Sequence, residues 1–139
     1  MQACLLATGS RPVRPAIPGA EDPSVLVLRR LADSLAIRER VPPAGRVAVI
    51  GSGFVGCEVA ASLAARGAQV TMLSQEESPL LGRLGQAAGE RIRVWLEREG
   101  VDFRGAVEVS AINGGRVLAP GQCDLVADLV ILGVGVRPR

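Results

Sequence analysis

An α/β fold in three layers, with a parallel sheet, helices against it and a small antiparallel β-meander, is what the sequence predicts on three observations. Short β-branched runs such as Val47-Ala48-Val49-Ile50, Gln69–Leu73 and Leu129–Leu132 alternate with stretches whose apolar residues recur at three- and four-residue intervals. That alternation belongs to strands covered on both faces by helices. The first run leads straight into Gly51, Gly53 and Gly56 in G-x-G-x-x-G spacing, then into a proline-free segment that Gly67 closes. Strand, glycine turn and helix in that order make a Rossmann-like βαβ unit. After residue 105 the period shortens around Asn113-Gly114-Gly115, a hairpin signal.

Residues 2–7 are a short apolar strand candidate that runs into Thr8-Gly9-Ser10-Arg11-Pro12. A first strand needs partners to satisfy its backbone, which suggests an excised or partial piece. Pro12, Pro15, Pro18 and Pro23 with Gly19 predict an extended connection. Leu28, Leu31, Leu35 and Ile37 among charged residues predict a helix over residues 28–40, stopped by Val41-Pro42-Pro43-Ala44-Gly45. The helix after the glycine turn is expected over residues 54–66, with Val55, Val59, Leu63 and Ala64 on its inward stripe. Residues 74–79 read as a loop, and residues 84–99 as a helix with Ile92, Trp95 and Leu96 inward. Val101–Arg104 is a third parallel strand. Residues 106–110, 116–118 and 125–127 form the meander, and Leu129–Leu132 the last buried strand. Residues 4–12 and 130–138 share Leu6/Leu132, Gly9/Gly135, Arg11/Arg137 and Pro12/Pro138. Two such exits around one βαβ unit suggest matched outgoing and returning crossings of an inserted domain, with chance similarity as the alternative.

The composition narrows the chemistry. At 139 residues there is room for one well-packed domain. The sixteen basic residues are all Arg, and His and Tyr are absent. A Ser-His-Asp triad, a His-bearing zinc site and a GK[ST] phosphate loop are therefore excluded, and any redox step must come from a cofactor. A net charge of +2 with scattered Arg, and few aromatics, give no nucleic-acid footprint. Gly51, Ser52 and Glu58 interrupt the apolar run from Val47 onward, which argues against a membrane span. Cys4, Cys57 and Cys123 lack C-x-x-C spacing and read as reduced, buried residues of a cytoplasmic protein.

The glycine turn carries the binding prediction. Gly51 would permit the tight turn, Gly53 a close approach of a pyrophosphate, and Gly56 the packing of helix on strand. The N–H groups from Ser52 to Val55 then point, with the positive end of the helix dipole, where a diphosphate would sit.

Taken together, Ala7-Thr8-Gly9-Ser10-Arg11-Pro12, Ile17-Pro18-Gly19, the glycine turn with Glu58, Gly100-Val101 and Gly133-Val134-Gly135-Val136-Arg137-Pro138 resemble the FAD-dependent pyridine nucleotide–disulfide oxidoreductase superfamily. Leu28-Arg29-Arg30-Leu31-Ala32-Asp33 resembles its ferredoxin and rubredoxin reductase branch. The resemblance implies an NAD(P)H-binding domain over residues 45–139. Residues 1–44 would then lead in from an FAD domain that this chain lacks. It also implies transfer of a hydride from NAD(P)H to FAD and of electrons to a ferredoxin- or rubredoxin-like acceptor, with no turnover by the piece alone. By matched position, Gly51, Ser52, Gly53, Phe54, Val55 and Gly56 would surround the pyrophosphate and its riboses. Glu58 matches an acid facing the nicotinamide, or serves as an ordinary first-turn acid. Thr8 and Gly9 match the segment that passes the flavin, and Gly135 would lie near the nicotinamide.

One departure concerns the adenosine ribose. Where NADH-using members carry Glu at the end of the second strand, this chain has Ser74, followed by Gln75. Glu76 and Glu77 would repel a 2′-phosphate and Arg83 would attract one, a balance that favours NAD(H) over NADP(H). A stand-alone NAD(H)-sensing module is the alternative reading, and a homodimer is left open.

Overall fold

Val47 and Val49 point to one side of their strand and Ala48 and Ile50 to the other. The computed structural model, which describes residues 3–121 and 123–139, shows what covers each side. The chain runs through β1 (Ser10–Pro12), β2 (Val25–Val27), α1 (Leu31–Arg40), β3 (Arg46–Ile50), α2 (Phe54–Ala64) and β4 (Gln69–Leu73). It continues through α3 (Leu81–Leu84), α4 (Gln86–Arg98), β5 (Val101–Arg104), β6 (Ala111–Asn113), β7 (Arg116–Ala119), β8 (Cys123–Val126), β9 (Leu129–Leu132) and β10 (Val136–Pro138). Five strands lie parallel in the order β2-β9-β3-β4-β5, and β6-β7-β8 form the antiparallel meander.

Val47, Val49, Val70, Met72, Leu129 and Ile131 pack against Ile37 of α1, Val59, Ala60 and Leu63 of α2 and Leu96 of α4. Ala48, Ile50, Val130 and Leu132 instead meet Ile112, Val117 and Ala119 of the meander. The layers are therefore helices, sheet and meander. Helices on both faces, expected from the uniformly apolar strands, are replaced on one side by the inward row of a period-two hairpin, which is as apolar a cover. Each Val, Leu, Ile or Met among these side chains contributes about 1.5–3 kcal/mol when fully buried.

Several elements differ from the sequence-based expectation. Residues 3–9 form no strand, and Leu5 and Leu6 stand 90% and 83% exposed. Pairing begins only at Ser10, where β10 returns antiparallel with Ser10 opposite Pro138 and Pro12 opposite Val136. Gln2 lies outside the described residues. The helix expected from residue 28 starts at Leu31: Val25–Val27 form β2, parallel to β9, and the chain stays extended at Arg30, the N-cap. Asp33 reaches back to cap α1, its carboxylate accepting the N–H groups of Arg29 and Arg30 at 2.9 and 2.8 Å. The proline-rich connection is tied down by Arg14, which donates to the Ala20 and Val25 carbonyls, and by the Pro18 carbonyl, which accepts the Ile112 N–H at 2.8 Å.

In α2 the inward stripe is Gly56, Val59, Ala60 and Leu63, and Val55 is turned outward. The helix expected over residues 84–99 is α4, which starts at Gln86 after Gly85 takes φ +79°, and the separate one-turn helix α3 precedes it. Trp95 is 54% exposed rather than inward, one residue round from the buried Leu96, with the Arg91 guanidinium 5.9 Å over its ring. Residues 106–110 make no strand, and β6 begins at Ala111, although the Ser110 N–H still reaches the Leu118 carbonyl at 2.8 Å. Cys4 is exposed and Cys57 half-buried, so the buried-cysteine reading fails for Cys4; the Cys123 side chain lies outside the described residues. Among the described residues no helix is long and apolar enough to cross a membrane.

Candidate dinucleotide site

Ile50, Leu73 and Leu132 end three adjacent parallel strands, β3, β4 and β9. The chain leaves β3 toward β4 through α2, while β9 lies on the other side of β3. An open α/β sheet forms its crevice where neighbouring connections part in this way. A cleft of about 640 Å³ occupies this place.

Its floor is the glycine turn. The Gly51 N–H donates to the Leu73 carbonyl at 2.8 Å, a last bond to the neighbouring strand, and Gly51 takes φ +102° where the chain then turns off the sheet. The end of β9 closes against it. The Gly133 N–H donates to the Ile50 carbonyl at 2.7 Å. A Cβ on Gly133 would stand 2.9 Å from the Gly56 Cα, and one on Gly56 would stand 2.1 Å from the Gly51 carbonyl oxygen. Three backbones thus touch where no side chain fits. Gly133 was not singled out as a packing glycine from the sequence, because its need for a bare Cα arises from a contact between distant segments.

The N-cap of α2 is Gly53, extended at φ −72° and ψ −178°. A Ser, Thr or Asp there would turn its side-chain oxygen onto the first-turn N–H groups; glycine cannot. Among the described residues, the N–H groups of Ser52, Gly53, Phe54 and Val55 have no acceptor within the chain, and the first to be satisfied is that of Cys57, on the Gly53 carbonyl at 2.9 Å. Phe54, 58% exposed, and Val55 present apolar surface to the cleft beside them. The Ser52 backbone is held from behind, its carbonyl accepting the Leu80 N–H at 3.1 Å and the Cys57 thiol at 3.4 Å. Burial pushes that thiol up to about 11, so Cys57 is no nucleophile near neutral pH.

The second wall comes from the end of β4. Ser74 is buried, its hydroxyl 2.6 Å from that of buried Ser52 and accepting the Glu76 N–H at 3.1 Å. Gln75, Glu76, Leu80 and Arg83 continue this wall. Leu80 is buried at φ +58°, a strained conformation held by its bond to Ser52. The mouth is closed by Pro15, Ile17 and Leu28 from the first forty residues and by Val107, Glu108 and Val109. None of these was selected from the sequence, since their closeness depends on how the connections fold over the sheet.

Of the residues singled out beforehand, Gly51, Ser52, Gly53, Phe54, Val55, Ser74, Gln75, Glu76, Arg83 and Gly135 all line this cleft. Gly56 lies buried beneath it. Glu58 is exposed on α2, beyond the first turn and outside the lining, so a first-turn role does not apply. Thr8 and Gly9 line a separate depression of about 590 Å³ with Arg11, Arg29, Arg30 and Arg139, the Thr8 hydroxyl donating to the Arg139 carbonyl at 3.0 Å. A dinucleotide fits the cleft on two grounds: a bare backbone admits a diphosphate, and the amides facing it lack partners.

The family model described as pyridine nucleotide-disulphide oxidoreductase matches residues 1–139. The chain is 36% identical over 138 residues to the biphenyl dioxygenase system ferredoxin–NAD(+) reductase component of Paraburkholderia xenovorans, covering 96% of this chain and 34% of that protein. It is 31% identical over 141 residues to a rubredoxin–NAD(+) reductase of Pseudomonas putida, covering 97% of this chain and 36% of the other. Among solved structures, the ferredoxin reductase for the CYP199A2 system from Rhodopseudomonas palustris superposes with a TM-score of 0.86 at 30% identity, over 94% of this chain and 33% of that one. The covalent putidaredoxin reductase–putidaredoxin complex gives a TM-score of 0.87 at 28% identity, over 94% and 34%. The chain spans about a third of the length of these curated relatives.

Proposed function

Because this chain belongs to the pyridine nucleotide-disulphide oxidoreductase family, we propose that it is the NAD(P)H-binding part of an FAD-dependent reductase. In this reading residues 45–139 carry the nucleotide site, β2 and α1 complete its sheet and core, and the segments around β1 and β10 are the crossings to an FAD domain. NAD(H) is the preferred dinucleotide, and the electron acceptor is a ferredoxin- or rubredoxin-like protein. The relatives' names support both choices.

The observation that carries the reading is the row of unpartnered N–H groups at Ser52, Gly53, Phe54 and Val55, opening into the cleft. Bound NAD(P)H would supply the hydride. This chain's residues bind and orient it: the amides take the diphosphate oxygens, each charge-assisted bond contributing about 1.5–3 kcal/mol. Phe54 and Val55 shield that contact from water. Gly135 and Val134, at the exit of β9, line the end of the cleft nearest β10. The antiparallel pairing of β1 with β10 supports reading them as outgoing and returning segments of an inserted domain.

Calorimetric titration of the chain with NADH tests this reading. Saturable 1:1 binding in the parent is expected, with loss of at least about tenfold in affinity in Gly53→Val, whose side chain would stand between the amides and the diphosphate. Equal binding by parent and variant would refute the site.

A further inference from the structure

Resting on the dinucleotide reading above, we propose that Glu76, and not the strand-end Ser74, selects the adenosine ribose of that ligand. Its carboxylate accepts the 2′-hydroxyl and repels a 2′-phosphate.

Position in sequence points to Ser74, since the residue closing the second strand ordinarily meets the ribose. The structure takes it out of contention. Its hydroxyl is paired with that of Ser52 at 2.6 Å, already accepts the Glu76 N–H at 3.1 Å, and is buried. A hydroxyl has one donor and two acceptor sites, so little of Ser74 is left for a ligand. What it does instead is aim Glu76. The Glu76 N–H ends on Ser74 while the Glu76 carbonyl accepts the Ala106 N–H at 3.2 Å, so the backbone is held from both sides.

The carboxylate is held as well. One oxygen accepts the Gly82 N–H at 3.0 Å. Among the described residues the other oxygen has no partner, and the side chain lines the cleft while remaining partly exposed. A carboxylate tethered by one oxygen presents the second in a set direction, which suits acceptance from a sugar hydroxyl. Glu77 does not share the role: it is exposed and lies outside the lining.

Two other charges face this space. Glu108 lies on the opposite wall beside Val107 and Val109, and its sign also opposes a phosphate. Among the described residues Arg83 is the one cation of the lining, exposed and without an ion pair. A 2′-phosphate would have to recruit this long side chain from solvent and order it, whereas the Glu76 charge is already in place. The anchored charge decides.

The test is calorimetric titration of the full chain with NADH and with NADPH, comparing parent, Glu76→Gln, Ser74→Ala and Arg83→Ala. Glutamine keeps an acceptor for the Gly82 N–H, so the loop is retained while the charge goes. Glu76→Gln is expected to shrink the NADH-over-NADPH affinity ratio at least about tenfold, and Ser74→Ala, which removes the acceptor of the Glu76 N–H but no charge, to shrink it by clearly less. Should Glu76→Gln fail to fold, Glu76→Asp retracts the same charge by one methylene and is expected to move the ratio the same way. An unchanged ratio in the Glu76 variants, or a Ser74→Ala shift as large as that of Glu76→Gln, overturns the assignment while leaving the nucleotide site standing. Failure of the parent to bind either dinucleotide overturns both.

Discussion

A methyl group at Gly56 would stand 2.1 Å from the Gly51 carbonyl oxygen, and the atom it meets is backbone that cannot swing aside. Gly56→Ala must therefore push α2 off β3 or distort the turn. Forced overpacking of this kind costs about 1–3 kcal/mol. That outweighs the gain of up to about 1 kcal/mol from replacing glycine with alanine in a helix. Urea unfolding is expected to show a lower midpoint for the variant, and NADH titration a weaker affinity; a variant as stable as the parent would show that the approach is looser than the geometry states. Gly51, Gly53 and Gly56 were legible in the sequence because their spacing encodes one local turn. Gly133 was not, since its partner surface is that same turn reached across the sheet. Glu58 lies apart from the cleft for a related reason. Its nearness to the glycines in sequence does not bring it into the cleft, since helical rotation carries it to an exposed face.

At the scale of elements, the contact between α4 and the loop before α3 shapes the cleft wall. Gly89 in α4 is buried, and a Cβ there would lie 2.6 Å from the Ser78 hydroxyl and 2.8 Å from the Pro79 carbonyl oxygen. The helix can approach Ser78 and Pro79 only with glycine at that point. Leu80, next in line, then bonds Ser52 on the cleft floor. Gly89→Ala is expected to lose roughly 1–3 kcal/mol of stability by overpacking and to weaken NADH binding through Leu80, although it touches no ligand. Its calorimetric affinity and its urea midpoint check the two effects separately. Loss of stability with unchanged affinity would mean that the wall does not support the floor. Strands β3, β4 and β9 could be read from the sequence because burial on both faces gives unbroken apolar runs. β2 could not. Val25-Leu26-Val27 sits beside a leucine pattern of helical period, and only pairing with β9 makes it a strand. The break at Gly85 and the late start of β6 were likewise hidden, the first in a continuous helical pattern and the second behind Ala106 at φ +54°.

At the scale of the whole molecule, the proposed nucleotide unit opens and closes at one clasp. The Asp128 carboxylate accepts the Arg46 N–H and guanidinium, each at 2.9 Å, and the Asp128 N–H returns to the Arg46 carbonyl at 2.8 Å. Hydrogen bonds from Arg46 hold the Asp128 carboxyl below its usual value. The folded state thus binds this proton less readily than the unfolded one. The stabilisation is present above an unfolded carboxyl value of about 4 and fades as pH falls through the lower folded value. Asp128→Asn should have the lower urea midpoint at pH 7, with the gap to the parent narrowing below pH of about 4; a gap independent of pH would assign the loss to packing. The clasp also marks the boundary drawn at residue 45 from sequence, yet the sheet does not respect that boundary. β2 covers the flank of β9, and Ala20, Val25 and Ile37 are buried in the two cores. A piece beginning at residue 45 would lose the burial of Val25 and Ile37, about 1.5–3 kcal/mol each. Domain stabilities are only about 5–15 kcal/mol, and the cut would also bare β9 as an apolar parallel edge. Residues 45–139 are therefore expected to unfold at a lower urea concentration than residues 13–139 and to associate in sedimentation. If the shorter piece matched the longer in midpoint and stayed monomeric, β2 and α1 would be ornaments on a nucleotide domain complete without them.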